Sequence, residues 1–79
     1  MITEFNKHKI YKHKNNIDVA FLVTDINEDF HDEVHLRGYW MRITGMGTLS
    51  QEWPDSITVK HKDISNWFIY VNNKEEAYE

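Results

Sequence analysis

Five histidines and thirteen carboxylates in 79 residues are the first place to look for chemistry. The run His31-Asp32-Glu33-Val34-His35 approaches the zinc-binding HExxH pattern, with Asp where the pattern has its glutamate. Two histidines four apart meet on one side of a helix and can share an ion there. On a strand, at ~3.3 Å per residue, they stand about 13 Å apart and cannot. Val34, Leu36 and Trp40 alternate with other residues, so a strand is expected here and no metal site with it. His8 and His13, five apart, fall on opposite faces of a strand and are set aside on the same ground. Nucleophilic chemistry fares no better, because Ser50, Ser56 and Ser65 lack a nucleophile-elbow setting and there is no cysteine. The pairs Asp29/Asp32 and Glu75/Glu76 fall in a loop and a tail, where water keeps a carboxyl group ionised and ordinary. General acid–base work needs one shifted by burial or by neighbours. Gly45-Met46-Gly47 leads into neither a helix nor a Lys-Ser pair, so it is no phosphate loop. The expectation is a protein that is not an enzyme and carries neither cofactor nor metal.

Binding residues are easier to find. The acidic stretch Asp25–Glu33 (DINEDFHDE) sets Phe30 among the carboxylates Asp29, Asp32 and Glu33. An apolar ring in a solvated loop either folds back onto the core or anchors a partner. The segment Gly45–Pro54 similarly offers Met46, Leu49 and Trp53, and interfaces favour such anchors. Trp53 packed across the end of the fold as a lid is the structural alternative. A nucleic-acid reading rests on cations interleaved with rings: Lys9, Lys12 and Lys14 around Tyr11 and His13, Arg37 and Arg42 around Tyr39 and Trp40, and Lys60-His61-Lys62 as a third cluster. Exposed rings can stack bases while cations follow the backbone. The net charge of −4 counts against non-specific binding of a polyanion. It is unevenly spread. Residues 1–16 carry four lysines and residues 17–36 six acids with no Lys or Arg. Charge runs of this kind commonly do no more than solvate a loop, although dense acids can also imitate a phosphate backbone.

The elements that must position these residues are mostly strands. His8–His13 is a short candidate ended by the turn-favouring pair Asn15-Asn16. Ile17–Ile26 alternates, with Ile17, Val19, Phe21 and Val23 on one face. Glu33–Ile43 is the strongest strand, and Gly38 inside it suggests a bulge or close bend. Thr44–Ser56, with Gly45, Gly47 and the only proline, Pro54, reads as a long irregular connection. Ser56–Lys60 is a short strand, His61–Asn66 suits one helical or 3₁₀ turn, and Trp67–Val71 is a final strand. A mainly β fold is expected: a small five-stranded SH3-like barrel or a curved antiparallel sheet, with one short helical turn before the last strand. A four-stranded sheet packed on one short helix is the alternative. Residues 1–72 form one domain and residues 73–79 an acidic C-terminal tail. No apolar run approaches the ~20 residues of a membrane span. Residues 1–16 lack the apolar stretch of a signal peptide, and the absence of cysteine suits a reducing cytoplasm.

The stretches Leu36-Arg37-Gly38-Tyr39-Trp40, Ile57-Thr58-Val59-Lys60 and Asp63-Ile64-Ser65-Asn66-Trp67-Phe68-Ile69-Tyr70 resemble a loose pattern in small uncharacterised bacteriophage proteins. There an aromatic-rich central strand precedes an ITV–turn–Trp ending. The opening His8-Lys9-Ile10-Tyr11-Lys12-His13 is similar too, so the resemblance spans residues 8–70. It rests on residue character rather than fixed motifs and implies no site residue. What it implies is a phage-type accessory protein at work in the host cytoplasm. The combined expectation is a domain that binds a host or phage protein through Phe30, Trp53, Met46, Leu49, Asp29, Asp32 and Glu33. Inhibition of a host defence or nucleic-acid enzyme is one form such binding would take. The alternative is a small nucleic-acid-binding β-barrel domain using Lys12, Lys14, Arg37 and Arg42.

Overall fold

The structure is a computed structural model in which residues 2–70 are described. Five strands follow in chain order: β1 (Ile10–His13), β2 (Val19–Asn27), β3 (Glu33–Ile43), β4 (Leu49–Lys60) and β5 (Trp67–Ile69). One 3₁₀ turn, His61–Asn66, stands before the last strand. All pairings are antiparallel and the sheet order is β4-β3-β2-β1-β5. The chain therefore meanders from β1 to β4. The 3₁₀ turn then carries it to the free side of β1, where β5 pairs. This is the mainly β architecture that the alternation of residues led one to expect, with its short turn in the expected place. Val71 and the acidic segment 73–79 lie outside the described residues.

Curvature follows from where the apolar residues go. Phe5, Tyr11, Phe21, Val23, Val34, Leu36, Val59, Ile64 and Trp67 form one buried cluster. Val59 belongs to one edge strand and Trp67 to the other. Five strands ~4.8 Å apart put the edges of a flat sheet about 19 Å from each other, so the sheet must curl for the two to share a core. The 3₁₀ turn closes the open end by burying Ile64. Phe5, from the segment ahead of β1, stands edge-on to Tyr11 at 4.8 Å and to Trp67 at 5.7 Å. Edge-to-face geometry sets the positive ring edge against the negative ring face. The buried hydroxyl of Tyr11 accepts a 2.7 Å hydrogen bond from the Asn6 backbone N–H, so the most deeply buried phenol keeps a polar partner.

Two bulges shape the sheet. Between Val23 and Asp25 the β2–β3 register slips, leaving Thr24 as the extra residue. The odd positions Phe21 and Val23 face the core before the slip, and Ile26 packs against it after. The Thr24 hydroxyl donates to the Arg37 carbonyl at 3.0 Å and occupies an acceptor beside the disturbed ladder. The second slip lies between Tyr39 and Met41, where Glu52 and Trp53 together face Trp40. Each extra residue bends its strand and increases local twist.

Three expectations need correction. Residues 44–56 are not one long loop. Only Thr44–Thr48 turns, with the Gly47 N–H donating to the Thr44 carbonyl, and β4 begins at Leu49. Pro54 is tolerated because β4 is an edge strand, the one place in a sheet where a missing N–H need not break the ladder. Ile17 is 88 % exposed rather than on the core face, because β2 starts two residues later, at Val19. The opening strand is likewise shorter, Ile10–His13. His8 ahead of it holds a left-handed backbone (φ 66°) while its N–H donates to the Val23 carbonyl.

Candidate protein-binding cleft

Loop β2–β3 and the start of the 3₁₀ turn meet because of strand register. Glu33 is paired with Lys60, and Val34 with Val59. The acidic loop that precedes β3 therefore lands beside the Lys60-His61-Lys62 run that follows β4. A backbone hydrogen bond of 2.9 Å from the His61 N–H to the Asp32 carbonyl ties the two together. Further back, the Asn27 carboxamide oxygen accepts from the Asp29 N–H at 3.0 Å, a local turn of the kind Asn favours. Between the two segments lies an open cleft of about 770 Å³, lined by Phe30, His31, Asp32, Glu33, Lys60, His61 and Lys62.

Phe30 gives the cleft its character. Its ring does not fold back into the core. It lies flat on the His35 imidazole, centroids 3.9 Å apart and planes 6° from parallel, and stays 42 % exposed. His35 Nε2 is 2.9 Å from Glu33 Oε1. A carboxylate only accepts hydrogen bonds, so Nε2 carries the proton and donates. Glu33 thus orients His35, and His35 supports Phe30 from behind. Asp32 and His31 stand out in solvent, with His31 Nε2 3.8 Å from Asp32 Oδ1.

The remaining expected residues are spread over the molecule. Met46 is at the tip of the β3–β4 hairpin and 83 % exposed, and Leu49 is half-buried just past it. The far end of β3 lies ten residues beyond Glu33 in the strand, about 33 Å at the usual rise. Trp53 occupies the β4 bulge and is 54 % exposed, so it is not a lid over the core. It stands seven positions from Lys60 along β4, about 23 Å. Phe30, Asp29, Asp32 and Glu33 gather at one end of the sheet, whereas Met46, Leu49 and Trp53 do not join them. Trp40 is the structural tryptophan of β3. It packs edge-on against Phe21 at 5.0 Å, and its Nε1–H donates to Asp55 Oδ2 at 2.8 Å.

The cations of the nucleic-acid alternative do not form a track. Lys12 is half-buried on β1 opposite Phe68, and Lys14 is exposed just beyond β1. Arg37 is exposed on β3 between Asp25 and Ser56. Arg42, five positions on and so on the other face, donates its Nε–H to Glu52 at 3.1 Å. Sequence reading placed Lys60, His61 and Lys62 in a separate cationic cluster and gave His35 no role with Phe30. No local signal joins residues 30–35 to residues 60–62, because only the β3–β4 pairing does so. Among the described residues no group of three or more His, Asp or Glu side chains is drawn together as a metal site would need. No described helix is long and apolar enough to cross a membrane. No family model matches the chain, and no curated protein or solved structure matches it.

Proposed function

We propose that this chain is a non-enzymatic binding domain that holds a protein partner at the Phe30 end of its sheet. The observation that carries the reading is a fixed, unburied ring. Phe30 is backed by His35, and its loop is tied down at Asn27 and Asp32, yet its outer face remains open. An anchor ordered before contact loses little side-chain freedom on binding, and rigid aromatic anchors dominate interface energetics for that reason. The scattered placement of Lys12, Lys14, Arg37 and Arg42, with Arg42 engaged by Glu52, speaks against a nucleic-acid strand as the ligand. The setting proposed with this function is that of a phage-type accessory protein acting on a host or phage protein. It rests on the resemblance of residues 8–70.

The test is affinity capture from a bacterial host lysate, with and without nuclease, using the unaltered chain and Phe30→Ala. A protein partner retained after nuclease treatment and weakened about thirtyfold by Phe30→Ala is expected, the loss that truncating a true anchor produces. Capture abolished by nuclease overturns the reading. So does full retention by a folded Phe30→Ala variant.

A further inference from the structure

The charges lining the Phe30 cleft are unequally satisfied within the molecule. Glu33 is turned to His35 at 2.9 Å, and Asp32 has His31 at 3.8 Å. Lys60 is the cross-strand neighbour of Glu33. Even so, among the described residues neither Lys60 nor Lys62 has a carboxylate within 4.0 Å. The cleft thus offers two exposed ammonium groups on one wall and an exposed aromatic ring on the other. We propose that its occupant is an acidic peptide segment of the partner, with an aromatic side chain against Phe30 and carboxylates on Lys60 and Lys62. This deepens the protein-binding reading and rests on it.

Charge complementarity selects this occupant. A basic peptide would bring its cations against Lys60 and Lys62, while of the two carboxylates that also line the cleft Glu33 is already engaged by His35 at 2.9 Å and Asp32 has His31 at 3.8 Å. A nucleic-acid strand could stack a base on Phe30 and set one phosphate on the lysines. Its next phosphates would then run into Asp29, Asp32 and Glu33 of the same loop, where repulsion replaces the counterion release that drives such binding. A peptide carries its acids only where its sequence puts them, so it can present carboxylates to one wall and neutral backbone to the other. The Phe30–His35 stack adds to the fit, since a ring already held flat offers its free face for a further offset or edge-on contact.

Amide chemical-shift titration of the full chain provides the test, with three probes. These are a short peptide of alternating glutamate and tryptophan, the same peptide with lysine for glutamate, and a short oligothymidylate. Only the acidic peptide is expected to saturate below ~1 mM, with shifts gathered on Phe30, Lys60, His61 and Lys62. The double variant Lys60→Ala/Lys62→Ala should weaken it at least about tenfold, and Lys60→Arg/Lys62→Arg should restore it. Both lysine positions tested in this way are exposed, so a thermal melt should show each variant folded. Equal or tighter binding of the lysine peptide or the oligonucleotide overturns the proposal. An unchanged affinity in the double alanine variant also overturns it. The two readings fail separately. If Phe30→Ala abolishes protein capture while no acidic peptide binds, the anchor stands and the occupant is wrong. If the acidic peptide binds through the lysines but Phe30→Ala leaves capture intact, the cleft stands and the anchor is wrong.

Discussion

Aromatic residues of similar type do opposite work in this chain, and their surroundings decide which. Trp67 is buried between Phe5 and His13, edge-on to both. Trp53 sits in an edge-strand bulge with half its surface in water. Trp67→Ala should therefore cost ~3–5 kcal/mol, the range for large-to-small changes at buried aromatics. In a chain whose whole stability is of that order, most of the cooperative melt should disappear. Trp53→Ala should change stability by no more than about 0.5 kcal/mol, as exposed substitutions do. Chemical denaturation of the two variants side by side checks both, and a collapse of Trp53→Ala would restore the lid. His35 stacks on one face of the Phe30 ring and leaves the other open; under the proposed function it is a positioning residue. His35→Ala should weaken partner capture less than Phe30→Ala does while leaving the melting temperature close to that of the unaltered chain. Capture unaffected by His35→Ala would mean that Phe30 needs no backing.

At the scale of the element, β2 and β3 approach closely at Gly38. A Cβ placed on Gly38 would lie 1.8 Å from the Leu22 carbonyl oxygen and 3.2 Å from the Val23 Cα. Both are backbone atoms, so no side-chain movement relieves the clash. The neighbouring Thr24 bulge restores Ile26 to the core face after the register has slipped. Gly38→Ala must push the two central strands apart, and a loss of at least about 1–3 kcal/mol is expected. For a domain of this length that is a fall in melting temperature of several degrees or more, at ~4–8 °C per kcal/mol. A melting temperature unchanged by Gly38→Ala would show that the strands do not meet so closely. Pro54 belongs to this scale as well. With the Glu52–Trp53 bulge beside it, it interrupts the regular edge of β4, and a broken edge is a poor template for another chain's strand.

At the scale of the molecule, the described residues span 39 × 25 × 23 Å, and the exposed Phe30 and Met46 lie toward opposite ends of the long hairpin. Binding energy should accordingly come from one end at a time. Met46→Ala at the hairpin tip should leave capture through the Phe30 end unchanged. The circular-dichroism spectrum should be dominated by strand, because the only helical element described is the six-residue 3₁₀ turn. A measured helix content above about one third would contradict the sheet, given that such a fraction is typical of globular proteins with ordinary helices. Addition of zinc or a chelator should leave the melting temperature unaltered, since a ligand specific to the native state would raise it by mass action. A drop with chelator that zinc alone reverses would reveal a site built from these histidines.

What the amino-acid sequence determined by itself was local. Alternation of apolar and other residues marked Glu33–Ile43 as a strand to the residue, and the polar run His61–Asn66 marked the 3₁₀ turn before the last strand. Gly38 flagged a bulge or tight bend, which the structure answers with a close approach of β2 and the extra residue at Thr24 opposite, and Phe30 stood out as an apolar ring among acids. These features depend on neighbours along the chain, whose spacing repeats with the geometry of the element. The strand nature of Leu49–Ser56 was hidden because Pro54 and mixed polarity signal a loop, and only the edge position of β4 makes them compatible with a ladder. The exposure of Ile17 was hidden because alternation alone does not say where a strand begins. The cleft itself was decided by tertiary pairing. Phe30 meets Lys60 and Lys62 only because Glu33 registers with Lys60, and a slip of one residue would turn every side chain of β4 to the other face. That register is held by Val34, Leu36 and Val59 in the core, residues that are themselves buried away from the cleft surface.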